Sequence, residues 1–413
     1  MIRKNLMQLI FSGSFMKRWN DKLRPVELWE VDKQAHKMIT AWALYQENMS
    51  QCSSAQERLD LGREIIEGGI FEYLYRLVIT DIKPPVFYRI KSNPEHYRQL
   101  TEWVLEQLQP RVQSLGQEFW QRLQEYFTGY ESEGLSREIL AAAHLYASQW
   151  EFQLIRGINP WDEELADIEE AFEHGLDGYS HVQGLPQILD AKNNALGRFL
   201  RQCGQLRFQK RWSQTPRIPE TSVLGHMFIV ASYAYFFSLV NGSCPAMSHN
   251  NFFAGLFHDL PELLTRDIIS PVKRSVAEIG DLIRKYEEHE VQHRVLGLLE
   301  AGGYAHIAYR LHYFLGLEFG SEFVPTVVQG GRARCVQREE LMRSWNASEF
   351  DPKDGELLKV CDSLAAFIEA YTAMRNGITT DQLSQAVWRI RKDYGQSDLG
   401  NGLHIGSLLA DFD

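Results

Sequence analysis

The sequence predicts an all-α fold built as two tandem helical bundles, and three observations carry that expectation. Residues 223–239 place Leu224, Met227, Ile229, Val230, Tyr233, Phe236 and Phe237 on one broad apolar face, and 357–371 repeat the pattern. Alternation of the β type is scarce along the whole chain. A segment in the later half also has an echo in the earlier half.

The 413 residues exceed one ordinary domain of about 150 residues. With 44% hydrophobic and 23% charged residues, the composition is globular and excludes collagen-like, coiled-coil and disordered classes. In chain order, a broken apolar patch over 6–11 is too interrupted for a signal-peptide core. Lys83-Pro84-Pro85 ends a first group of helices, and a loop at 157–160 precedes an acidic run over 161–173 that reads as a solvated helix face. The later helices are separated by Asn241-Gly242-Ser243, Gly330-Gly331 and Asp351-Pro352. No window approaches about 18 uninterrupted apolar residues, so no membrane span is expected. The formal charge of −11, without a long basic run, argues against duplex nucleic acid and anionic membranes as partners, but leaves room for a small anionic substrate. The five cysteines are far apart and never in a CxxC, which fits reduced thiols and a cytoplasmic location. Self-association stays open.

The echo pairs 255–273 with 69–87, Gly225-His226 with Ala35-His36, and Asp362 with His144. The offset grows by about thirty toward the C-terminus, which predicts a duplication with an insertion near 323–354 in the later copy. The expected division is 1–185 and 186–413, with the boundary near Gly184–Asn194.

The later copy holds the chemistry. His226, His258, Asp259 and Asp362 offer two imidazoles and two carboxylates, a set that suits one divalent ion such as Mn²⁺, Co²⁺, Zn²⁺ or Fe²⁺. Adjacent His-Asp reach one ion only near a helix end or kink, since neighbouring helical side chains point about 100° apart. Pro261 makes such an end plausible. An ion there lowers the pKa of its water and polarises a phosphoryl oxygen.

These residues resemble the HD superfamily of metal-dependent phosphohydrolases, and more finely the bacterial HD-domain 5′-deoxynucleotidases. Arg211-Trp212, Glu220, His226, His258-Asp259-x-x-Glu262, Thr265-x-Asp267 and Pro271-Val272-Lys273 fall in that family's order. The resemblance covers about 206–374. It implies two tandem HD-type bundles, the first degenerate, and removal of phosphate from a nucleotide or another small phosphate ester. It further implies that His226, His258, Asp259 and Asp362 hold the ion and that Glu262 positions or activates the attacking water. Arg211 and Trp212 would contact the nucleotide, and Asp267 would help hold it. Lys273 reads equally as a second phosphate contact and as a solvated lysine. Gly225 departs from the family, which commonly carries Glu before this His.

In the earlier copy the corresponding positions read His36, Glu72, Tyr73 and His144, with Arg76 in place of Glu262. Tyr is a poor ligand and a guanidinium repels a cation, so this copy is expected to have lost its metal. A non-catalytic nucleotide-binding regulator is the alternative class, and the intact Glu262 argues against it. A di-iron oxygenase would need further His after His258. His289-Glu290-Val291-Gln292-His293 matches HExxH, but its polar surroundings predict a solvated face instead of a protease site. Gly330-Gly331-Arg332-Ala333-Arg334 reads as a flexible basic loop and lacks the Lys-Ser/Thr ending of a P-loop.

Overall fold

The computed structural model describes residues 2–129, 134–265 and 277–413, with side chains from 280 in the last of these. The earlier half runs α1 (Lys4–Ser12), α2 (Glu30–Asn48), α3 (Ala55–Ile79), α4 (Pro84–Lys91), α5 (Pro94–Val112), α6 (Gln117–Thr128), α7 (Leu135–Arg156), α8 (Glu164–Asp177) and α9 (Leu185–Leu189). The later half continues with α10 (Ala195–Cys203), α11 (Val223–Asn241), α12 (Pro245–Phe257), α13 (Glu262–Thr265), α14 (Ala277–Val291), α15 (Gly297–Ala301) and α16 (Ala305–Phe314). A hairpin of β1 (Thr326–Gln329) and β2 (Arg332–Cys335) follows, then α17 (Arg338–Ser344), α18 (Gly355–Arg375), α19 (Asp381–Tyr394) and α20 (Ile405–Ala410). The chain is all-α apart from that hairpin, as the periodicity predicts.

Local chemistry sets the helix ends. Ser54, Asn93, Asn194, Ser222, Asp354 and Thr380 each accept a backbone N–H at the start of a helix, satisfying donors that the first turn leaves unpaired. Gly242, at φ 71°, ends α11 in the left-handed region that glycine enters without strain. The basic segment read as a flexible loop is in fact the β1–β2 hairpin. Gly330 and Gly331 both have positive φ, as a two-residue turn matching the strand twist requires. Strands of four residues are too short to show alternation in sequence. The hairpin and α17 fill the stretch where the insertion is expected.

The expectation that no segment could cross a membrane needs one correction. α11 is long and apolar enough by composition alone, yet most of it is buried inside the protein. It packs on α2, α12 and α18, so no face is left for polar residues. Against α12 the approach is close: a Cβ on Gly255 would lie 2.9 Å from the Ala231 Cα. Glycine there lets α12 sit against α11 and brings His258, at its C-terminal end, beside His226.

One apolar core spans both halves, from Ile2 to Phe412. The Trp42 ring meets Phe257 at 4.6 Å between centroids, and Tyr73 meets Phe228 at 5.0 Å. Tyr235 Oη donates to Glu67 Oε1 at 3.0 Å, and Arg122 holds the same carboxylate through two 2.7 Å bonds.

The two halves share local geometry at a spacing of 193 residues. Lys17 bridges Trp29 antiparallel, and Lys210 bridges Ser222 in the same way. Trp19 and Trp212 have φ of 57° and 55°, a strained region for such residues. α1 and α10 have 9 residues each, α2 and α11 have 19 each, and α8 and α19 have 14 each.

Candidate metal centre

His226 lies in the first turn of α11, fully buried, its position fixed by the Ser222 cap. Its Nε2 is 3.2 Å from Asp362 Oδ1 and 3.8 Å from Asp259 Oδ2. His258 ends α12, and its Nδ1 is 2.8 Å from the Gly255 carbonyl. That contact leaves Nε2 as the presented nitrogen; it makes no well-formed hydrogen bond and lies 3.2 Å from Asp259 Oδ2. The helix end resolves the adjacent His-Asp problem, because α12 stops at Phe257 and a turn carries Asp259 round to the same point. Asp362 arrives from α18.

Among the described residues, His226, His258 and Asp259 form a group whose ligand atoms lie within 4.8 Å of one another. Asp362 joins it through His226. Two buried imidazoles and two partly exposed carboxylates, one imidazole nitrogen unsatisfied, fit a borderline divalent ion.

The charges of the cluster hold one another in their ionised forms. Burial alone would raise the Asp259 carboxyl, but His258, Arg211 and His226 hold it far below the usual carboxylate range. Burial would likewise depress His258, yet Asp259 and Asp362 push it up to about 9. Asp362 falls below its usual range despite burial, through Lys359 and the two histidines.

Arg211 NH1 stands 3.2 Å from Asp259 Oδ2, with 13% of its side chain exposed. Glu262 opens α13 one turn after Asp259, buried, its N–H donating to the Asp259 carbonyl at 3.0 Å. Trp212 is adjacent to Arg211, but its indole N–H points inward. Glu220 is exposed and pairs with Lys210, away from this floor. Asp267 and Lys273 lie outside the described residues.

The partner of the Trp212 indole is a residue the sequence reading passes over. Glu369, fully buried on α18, accepts from Trp212 Nε1 at 2.8 Å and Thr221 Oγ1 at 2.9 Å. It also lies 3.5 Å from both His226 Nδ1 and Arg211 Nε. A carboxylate behind a ligating imidazole orients the ring and raises its basicity. The available clue was a lone acid in an apolar run, two turns beyond Asp362 on the same face.

Residues 203–391 match the family model of the HD domain. This HD segment contains every residue of the cluster, from Arg211 to Glu369, and the match supports placing it in the HD-domain superfamily. No curated protein and no solved structure matches the chain.

Outside the HD segment, the spacing that relates Trp19 to Trp212 sets Lys33, and not His36, opposite His226. Lys33 Nζ is 2.7 Å from His144 Nδ1. His36 is buried elsewhere, 2.9 Å from the Leu200 carbonyl, and burial with the nearby Arg207 lowers it to about 3. Glu72 is engaged by Lys37 and by Tyr126 Oη at 2.6 Å, and Tyr73 Oη donates to the Ile10 carbonyl at 2.8 Å. Arg76 pairs with Asp81 at 2.6 Å. Glu151, fully buried, binds Arg18 Nε at 2.7 Å and Trp19 Nε1 at 3.0 Å, much as Glu369 meets Arg211 and Trp212.

The halves also touch beside the metal floor. Ser222 Oγ donates to Asp32 Oδ1 at 2.6 Å, and a Cβ on Gly225 would fall 2.6 Å from that same oxygen. The Asp32 carboxylate thus occupies the space a larger residue at 225 would need. The HExxH histidines lie on the surface: His289 is 60% exposed and its ring stacks on His293 at 4.1 Å.

Proposed function

We propose that the protein is a divalent-metal-dependent phosphohydrolase acting on a small phosphate ester, with a nucleoside 5′-monophosphate as the favoured substrate. The observation that carries the reading is the convergence of His226, His258, Asp259 and Asp362 on one floor within the HD segment. Held by these four side chains, a Mn²⁺- or Co²⁺-like ion would supply Lewis-acid activation of water and of the phosphoryl group. Glu262, one turn from Asp259, takes the proton of the attacking water. Arg211 offers a planar fork to phosphate oxygens, which suits a dianion better than a neutral ester. Glu369 holds Trp212, Arg211 and His226 in register beneath the substrate.

The earlier half is, in this reading, a degenerate copy that keeps the helices and the Arg-Trp-Glu support but has no ion. Its Lys33 amine, which burial lowers to about 7, takes up His144 Nδ1 at 2.7 Å, so a lysine stands where the later copy would hold the metal and that position offers a dication neither a carboxylate nor an imidazole.

Phosphate release from a panel of ribo- and deoxynucleoside mono-, di- and triphosphates, with Mn²⁺ or Co²⁺, tests the function. Release from monophosphates is expected. Silence across the panel with the metal site loaded would sink the enzyme reading and leave a nucleotide-binding regulator.

A further inference from the structure

Each of the two carboxylate ligands carries a cation of its own. Asp259 has Arg211, and Asp362 has Lys359, whose Nζ is 2.8 Å from Asp362 Oδ2. Lys359 sits on α18 one turn before Asp362, so its side chain and the ligand share a helix face. Its side chain is 42% exposed against 13% for Arg211. The ammonium lies 4.3 Å over the Phe323 ring, and that ring is 6.4 Å from the His258 ring. Phe323 belongs to the segment leading into β1 and has no role in the proposed chemistry so far.

As a mere i,i+3 surface pair, Lys359–Asp362 would contribute little to stability. Its location gives it another effect. A fixed positive charge beside a metal carboxylate opposes the divalent ion and favours an anion arriving at the same spot. Once the ion draws on Asp362, that carboxylate has less charge to offer the ammonium. The Phe323 face still holds the lysine at the rim, by cation–π attraction. It is then within reach of an oxygen of any group bound over the four ligands.

We propose that Lys359, held in place by Phe323, is a phosphate-binding residue of this site and grips the substrate's phosphate together with Arg211. The inference rests on the phosphohydrolase reading and narrows its substrate to esters presenting a phosphate dianion. The stretch before the hairpin acquires a purpose too, as the wall that orients this lysine.

The test uses the full chain loaded with Mn²⁺ and inorganic phosphate as the probe, with both affinities measured by calorimetry. Lys359→Met should raise the phosphate dissociation constant about 10- to 100-fold, the range of one charge-assisted contact. Mn²⁺ affinity should be unchanged or tighter, and Lys359→Arg should recover most of the phosphate binding. Phosphate binding by Lys359→Met equal to wild type would overturn the proposal. Loss of Mn²⁺ from Lys359→Met would overturn it as well, showing that the lysine acts only through Asp362. If wild type releases phosphate from monophosphates while Lys359→Met binds phosphate normally, only the lysine's role fails. If wild type binds neither Mn²⁺ nor phosphate, the phosphohydrolase reading falls with it.

Discussion

Side chains that look interchangeable in sequence separate by role once their neighbours are known. Asp259 meets His226, His258 and Arg211 at once, whereas Glu262 follows it on α13 without joining the four ligands. Asp259→Ala should therefore abolish Mn²⁺ binding and turnover together. Glu262→Ala should leave the ion bound while turnover falls about 10²- to 10⁴-fold, the range for a lost general acid or base. Parallel metal titrations and rates on the two variants check this; loss of the ion from Glu262→Ala would contradict the assignment. The convergence of these four side chains was legible because His and Asp in an apolar helical context are few and chemically distinctive. Glu369 was not, since an acid two turns past Asp362 looks in sequence like any solvated residue. Only its burial and its contact with the Trp212 indole mark it out.

At the level of helices, the apolar stretch at 223–239 was legible as α11, but the register of the echo was not. Shifting a helix by three residues moves its apolar face by only about 60°, so a pairing of His36 with His226 and one of Lys33 with His226 suit the pattern almost equally. The antiparallel bridges and the positive-φ tryptophans share the 193-residue spacing that sets Lys33 opposite His226, and these are backbone features with no composition of their own. The start of α11 also carries a pH dependence. Burial pushes the Asp32 carboxyl up to about 7, against the opposing pull of Arg207 and of the Ser222 hydroxyl. Between about pH 4 and 7 the folded protein thus keeps a proton that the unfolded chain has released, and this contribution to stability is lost as pH rises through 7. Asp32→Asn, which still accepts from Ser222, should flatten that part of the profile and stabilise the protein at pH 8 by on the order of 2 kcal/mol. Denaturant melts of both proteins at pH 5 and pH 8 read it directly; an identical pH 5-to-8 difference in the two would refute it.

For the whole molecule, the fold class was legible, whereas the merging of the two halves into one core was not. Contacts such as Tyr235 to Glu67 and Trp42 to Phe257 join residues about 170 to 215 positions apart, which no local pattern announces. One such group among the described residues predicts a stoichiometry: elemental analysis of the Mn²⁺-loaded protein should give one ion per chain. Two tightly held ions would show that Lys33 and His144 do not exclude a cation from the earlier half. The contact between Asp32 and Gly225 has a consequence of a different kind. These two residues are separated by the same 193 positions that relate Trp19 to Trp212, and they face one another. In a homodimer with exact two-fold symmetry the two positions would have to be identical. Two aspartates would press a pair of buried carboxylates together, and two glycines would leave the Ser222 hydroxyl without its acceptor. If the halves descend from one ancestor, as we propose, an acid on one side fitted to a vacancy on the other is a broken symmetry that two identical chains cannot adopt.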